Sequence, residues 1–125
     1  MKDQLFAAAL QAHANAYAPY SNYAVGAAVA SESGAIFAGC NVENAVFPLG
    51  QCAERVAIQN MVSAGGRRIT ELLLLTANGA TPCGACRQVI SEFSEGNLPI
   101  YIANADGIVS ETTLEDLLPQ RFTMG

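Results

Sequence analysis

Positive charge is scarce in this sequence: six of its 125 residues are Lys or Arg against eleven Asp or Glu, and no lysine follows Lys2. A phosphate backbone is bound mainly through clustered cations. The one adjacent pair is Arg67 and Arg68, so a nucleic-acid polymer is excluded as the expected ligand. Histidine is scarcer still. His13 is the single one, and it sits where Phe6, Leu10, His13 and Tyr17 recur at helical spacing, which reads as a structural position. No Ser/His or Cys/His nucleophile can be assembled without it. The longest strongly apolar run, residues 72–75, is far too short to span a bilayer. Asp3, Gln4, Gln11 and His13 interrupt the first seventeen residues, so no signal-peptide core forms there. These absences predict a cytoplasmic protein without membrane contact, whose cysteines are reduced or metal-bound rather than disulfide-bonded.

What is abundant is apolar surface. Hydrophobic residues make up 51% and charged ones 14%, which excludes disorder and leads us to expect apolar surface covered by a second subunit. The length suits one domain over residues 1–125 with one core. After the first helix, residues 3–17, the Pro and Asn turn signals of "APYSNYAVG" precede a hairpin of residues 25–30 and 36–42 around "SESG". "GQCAERVAI" opens a second helix running to about Ala64, where "GG" stops it. Residues 72–75 read as a buried strand, "CGACRQVISEF" as a third helix after Pro82, "LPIYIAN" as another strand and "TLEDLLP" as a short capped helix. Strands alternating with helices predict an α/β fold in which one sheet carries helices on both faces.

Both remaining signals involve cysteine. "CAER" sets Glu54 two residues from Cys52, and "PCGAC" sets Cys83 and Cys86 three apart. Each motif falls at a predicted helix N-terminus, where partial positive charge favours thiolate. Cys83 and Cys86 share a face of a first helical turn and can share one ion. Three protein ligands leave a tetrahedral position open, the arrangement of a catalytic zinc. Cys40 could close it into a structural four-cysteine site, but "IFAGCNV" reads as strand, where a free cysteine packs as a small hydrophobe. A thiol-redox use of the CxxC is a further alternative. Glu54 is placed to exchange a proton with a metal-activated water without itself being a ligand. Arg55 can temper the charge of three thiolates by hydrogen bonding to sulfur. Taken singly, each of these two charges reads as a solvated helix residue.

C-x-E followed by P-C-x-x-C is the zinc deaminase pattern with Cys in place of its usual first His. With "PYSNYAVGAAV", "GCNVENAVFPLGQCAERVAI", "PCGACRQVISEF" and "LLPQRF", the chain from residue 18 to residue 122 resembles the small cytidine deaminase family. That resemblance implies a three-layer α/β/α fold with a central mixed sheet and one Zn2+ per chain, held by Cys52, Cys83 and Cys86. It implies Glu54 as proton shuttle contacting the pyrimidine at N3, Arg55 tempering the thiolates, and the Ala53 backbone N–H meeting the O2 carbonyl. Asn41 and Glu43 match residues that hold the ribose hydroxyls, and Tyr23 matches an aromatic, usually Phe, packed at the base. Phe122 matches an aromatic reaching in from a neighbouring subunit of a homotetramer. Two departures stand out: Phe47 falls where the family often has Tyr, and the tail ends three residues after Phe122.

The reaction so implied is hydrolytic deamination of cytidine and 2′-deoxycytidine to uridine and 2′-deoxyuridine with release of ammonia. Alternatives are a deaminase of another cytosine-bearing nucleoside, such as a blasticidin-type antibiotic, deamination of a base within a polymer, and a structural zinc or thiol-redox protein without turnover. The ribose clamp in "NVEN" argues against the first, the acidic composition against the second, and Glu54 beside a metal ligand against the third.

Overall fold

The computed structural model describes residues 1–124. Helix α1 (Lys2–His13) is followed by strands β1 (Gly26–Ser31) and β2 (Ile36–Cys40), then helix α2 (Ala53–Ser63) and strand β3 (Ile69–Leu75). Helix α3 (Gly84–Glu92), strands β4 (Pro99–Asn104) and β5 (Gly107–Thr113), and the short helix α4 (Leu114–Leu117) complete the chain. The five strands form one mixed sheet in the order β2-β1-β3-β4-β5. Only the β3–β4 pair is parallel.

Alternation along the strands divides the core in two. Ala27, Val29, Leu72, Leu74, Ile100 and Ile102 point to one face, where Ala57, Ile58 and Met61 of α2, Ile90 of α3 and Leu114 of α4 close over them. Ala28, Ala30, Leu73, Leu75, Tyr101 and Ala103 point to the other, where Leu5 and Ala9 of α1 cover part of it. Helices on both faces make the predicted three layers. The continuous apolar reading of residues 72–75 follows from this: β3 is sandwiched, so both its faces are buried. Truncating a fully buried leucine such as Leu72 costs about 2–5 kcal/mol.

Two glycines allow the layers to close. A Cβ on Gly39 would lie 2.5 Å from the Ala57 nitrogen and 2.9 Å from the Ala53 oxygen, so α2 sits on β2 only because residue 39 has no side chain. Gly26 does the same for α1, because a side chain there would run into the Ala9 carbonyl oxygen. No helix among the described residues is long and apolar enough to cross a membrane.

The structure corrects four element boundaries. The first helix ends at His13, not Tyr17, because the Asn15 and Ala16 amides turn back to Ala12 and His13. Tyr17 instead joins the ladder beyond β2: its amide bonds the Asn41 carbonyl at 3.0 Å, and its carbonyl accepts from Glu43 at 2.9 Å. β2 ends at Cys40 rather than Val42, since Val42 exchanges both backbone bonds with Gln51, at 3.0 and 2.9 Å. β3 begins at Ile69, earlier than its apolar run, and α2 begins at Ala53 with Cys52 as its N-cap. An element was also missed. β5 is half polar, exposed in its middle and paired only with β4, so its sequence lacks apolar alternation.

Candidate active site

The N-termini of α2 and α3 meet. Cys52 is the N-cap of α2 and Cys83 the N-cap of α3, both with extended backbone. Cys86 lies in the first turn of α3, at the position whose amide an N-cap side chain ordinarily faces. Neither cysteine side chain caps the backbone amides of its own helix, which leaves the sulfurs free to approach one another. The Sγ atoms of Cys52, Cys83 and Cys86 all lie within 4.8 Å of each other. Zinc–sulfur bonds of about 2.3 Å in a tetrahedron separate sulfurs by about 3.8 Å, so the trio fits one Zn2+. Thiolate softness favours the same ion. Cys40 stands apart, its thiol directed at the Asn15 carbonyl, and among the described residues the metal-competent group contains no fourth protein ligand. The closed four-cysteine alternative is thereby ruled out for this geometry.

The charge balance suits metal binding. The Cys52 thiol is brought down to about 5, first by the hydrogen bond from Cys86 and then by the Arg55 guanidinium. Cys86 is pushed up because it supplies that shared proton and is buried next to Glu54. A cation taking the proton's place releases it, so metal uptake is linked to proton release. Arg55 Nη2 lies 3.6 Å from Cys52 Sγ, which puts a positive charge against that sulfur. Glu54 is 4% exposed. Burial raises its carboxyl above the usual range, and the Cys52 charge adds to the effect.

A cleft of about 460 Å³ opens onto this corner, with Tyr23, Asn41, Glu43, Ala53, Glu54, Cys52 and Cys83 among its lining residues. Phe47 also lines it, and forms an edge-to-face pair with Tyr20 at 5.9 Å. Ala53 is the first residue of α2, where a backbone N–H has no intrahelical partner. The Tyr17–Val42–Gln51 ladder delivers residues 41–43 to the wall. Asn41 is held on two sides: its Nδ2 donates to the Tyr23 carbonyl at 2.8 Å, and its Oδ1 accepts from the Val25 amide at 2.9 Å. One N–H and one lone pair remain for a ligand. Glu43 accepts from the Tyr20 amide at 2.9 Å, the Ser21 amide at 3.1 Å and the Ser21 hydroxyl. The Ser21 hydroxyl leads the effects that keep this carboxylate below its ordinary range.

Several contributors were not singled out from the sequence. Ser21 orients Glu43, and the only hint was the turn composition of "PYSNY". Asn78 accepts from Tyr23 Oη at 2.5 Å and from Thr76 Oγ1 at 3.3 Å, while Thr76 Oγ1 also accepts from the Ala80 amide at 2.8 Å. Of the expected site residues, Cys86 and Phe122 do not line the cleft: Cys86 is fully buried behind it, whereas Phe122 lies away from it. Phe122 is 67% exposed, and its carbonyl accepts from Gln88 Nε2 at 3.2 Å.

Residues 1–102 match the family model described as the cytidine and deoxycytidylate deaminase zinc-binding region. A cytidine deaminase of Sporosarcina psychrophila is 44% identical over 97% of this chain and 90% of its own length. That of Halalkalibacterium halodurans is 39% identical over 98% and 94%. The crystal structure of cytidine deaminase from Burkholderia pseudomallei superposes with a TM-score of 0.91 at 41% identity, covering 98% of this chain and 99% of that one. Sequence, fold and sulfur trio agree, and the chain belongs to the cytidine and deoxycytidylate deaminase family.

Proposed function

We propose that this protein is a zinc-dependent cytidine deaminase, converting cytidine and 2′-deoxycytidine with water into uridine and 2′-deoxyuridine plus ammonia. The observation that carries the reading is a buried carboxyl, Glu54, set beside three convergent cysteine sulfurs at the end of a cleft. A structural zinc site has no use for that carboxyl. When bound, zinc supplies the Lewis acidity that makes water a nucleophile at neutral pH.

The chain's own residues do the rest. Glu54, with its proton affinity raised by burial, takes a proton from the attacking water and delivers it to N3 of the pyrimidine. The water's oxygen adds to C4, and its second proton travels through Glu54 to the amine that departs from C4. Atoms balance: N3 keeps one proton, as in uridine, and ammonia carries away the other. The Ala53 N–H donates to the O2 carbonyl, and Tyr23 packs against the base. Asn41 and Glu43 bind the ribose hydroxyls. After its three internal donors, Glu43 has about one acceptor site left of roughly four, which suits a single hydroxyl.

The whole of residues 1–125 acts as one catalytic domain in this reading, in the cytoplasm, as a homotetramer. Phe122 enters the site of a neighbouring subunit. Tyr17, Tyr20, Val46, Phe47 and Leu49 are each more than half exposed, more apolar surface near one cleft than a monomer ordinarily leaves in water.

The test is a panel of cytosine compounds assayed for ammonia release together with sedimentation of the purified protein. Uridine and ammonia in equal amounts from cytidine, by a tetramer, support the reading. Turnover of a cytosine-bearing antibiotic without turnover of cytidine would overturn it.

A further inference from the structure

The three cysteines are not equally secured. Cys86 is fully buried within α3, and Cys52 is half-buried with Arg55 against its sulfur. Cys83 is exposed, and its neighbour Gly84 has nothing within 4 Å of where a Cβ would be. Packing therefore does not fix Cys83, and its sulfur goes where the backbone on either side puts it.

Arg87 holds that backbone. Its amide closes the first turn of α3 on the Cys83 carbonyl at 3.0 Å. Its side chain folds back over the same turn: Nε donates to the Pro82 carbonyl at 2.8 Å and Nη2 to Thr81 Oγ1 at 3.2 Å. Nη1 donates to the Leu117 carbonyl at 2.9 Å, tying the turn to the end of α4. One planar guanidinium thus braces both residues that precede Cys83 against a separate element. All three side-chain bonds end on oxygen. A lysine, with a single ammonium on a flexible stem, cannot span three acceptors arranged in this way.

We propose that Arg87 is a positioning residue of the metal centre, holding the turn that carries Cys83 and Cys86 in ligating geometry through the Pro82, Thr81 and Leu117 oxygens. The proposal rests on the zinc reading of the trio. Arg55 and Arg87 then divide the work: Arg55 acts on sulfur charge and Arg87 on sulfur position. Partners that orient metal ligands typically account for about 10- to 100-fold in metal affinity or activity.

The experiment uses the zinc-loaded protein and follows metal release to a chromogenic chelator, alongside the visible spectrum of the cobalt(II)-substituted protein. In Arg87→Ala, release accelerates about 10- to 100-fold, the cobalt ligand-field bands shift, and kcat falls more than KM rises. Arg87→Lys is intermediate in all three, and Thr81→Val, which loses one contact, moves in the same direction by less. Arg68→Ala loses an exposed ion pair to Glu95, and behaves as wild type in release and spectrum. Should Arg87→Ala fail to fold, Arg87→Lys and Thr81→Val decide the matter. Wild-type release rates and an unchanged cobalt spectrum in the Arg87 variants would overturn the proposal while leaving the zinc site intact. A wild-type protein that binds no zinc would overturn the site itself.

Discussion

The phenol of Tyr23 donates to the side-chain oxygen of Asn78 at 2.5 Å, joining the turn before β1 to the loop that leads to Cys83. Tyr23 lines the cleft, and Asn78 also accepts from Thr76, so an aromatic expected at the base is tied to the segment that ends in a metal ligand. A hydrogen bond of this kind contributes a net of about 0.5–1.5 kcal/mol. Tyr23→Phe should lower stability by no more than that, Asn78→Ala by up to about twice as much because it also loses the Thr76 bond, and both should raise KM for cytidine. The double variant should be little worse than Asn78→Ala alone. Additive losses in a double-mutant cycle would show that the two side chains act independently.

Gly39 controls how closely the helix bearing Cys52 and Glu54 approaches the sheet. A methyl group there meets backbone atoms of Ala53 and Ala57 at less than 3 Å. Gly39→Ala should cost about 1–3 kcal/mol by overpacking, and should also weaken zinc binding as α2 is displaced. Thermal denaturation with a parallel zinc count checks both. A variant of wild-type stability would mean that α2 can shift without cost.

Phe122 is exposed on the isolated chain, whereas Arg121 is anchored to the Gly96 carbonyl at 2.7 Å and to Ser91 and Ser94. Truncation before Arg121 would remove that anchor as well, so Phe122→Ala is the cleaner variant. It should fold and assemble normally and raise KM for cytidine. An unchanged KM in a tetrameric Phe122→Ala protein would show that the aromatic serves no neighbouring site.

Charge predicts discrimination against nucleotides. Glu43 is kept ionised at the cleft wall by the Ser21 hydroxyl and two amides. The nearby cations are engaged: Arg55 faces Cys52, while Arg87 and Arg121 are bonded to carbonyls. Cytidine should therefore be deaminated more efficiently than its 5′-monophosphate. The gap should narrow with rising salt, which screens the repulsion, and in Glu43→Gln. Equal efficiency at low ionic strength would require a cation from another subunit at the phosphate.

Each half of the metal centre was legible because its geometry is local, whereas the meeting of Cys52 with Cys83 and Cys86 depends on how the N-termini of α2 and α3 pack. C-x-E and P-C-x-x-C place side chains within single helical turns, where spacing alone dictates which groups share a face. The layer order was legible for a similar reason, since β1 and β3 are apolar on both faces. The braces were not. Tyr23 and Asn78 are 55 positions apart, and other partners are likewise distant in sequence and brought together only by the fold: Arg87 reaches Leu117, and Tyr17 reaches residues 41–43. β5 escaped notice because a half-exposed edge strand need not alternate. Asn41 shows a mixed case. Its match to a ribose-binding position was readable, but its two bonds to the backbone of residues 23 and 25, which set its direction, were not.

One carboxyl beside one metal carries the proposed reaction. The most direct measurement compares uridine and ammonia formation from cytidine by wild type and Glu54→Ala, each with its zinc content determined on the same sample. One zinc per chain is expected in both proteins, with equal yields of uridine and ammonia from wild type and a loss of about 10²- to 10⁴-fold in Glu54→Ala. Substantial turnover by zinc-loaded Glu54→Ala, or cytidine turnover by wild type stripped of zinc, would contradict the proposed reaction.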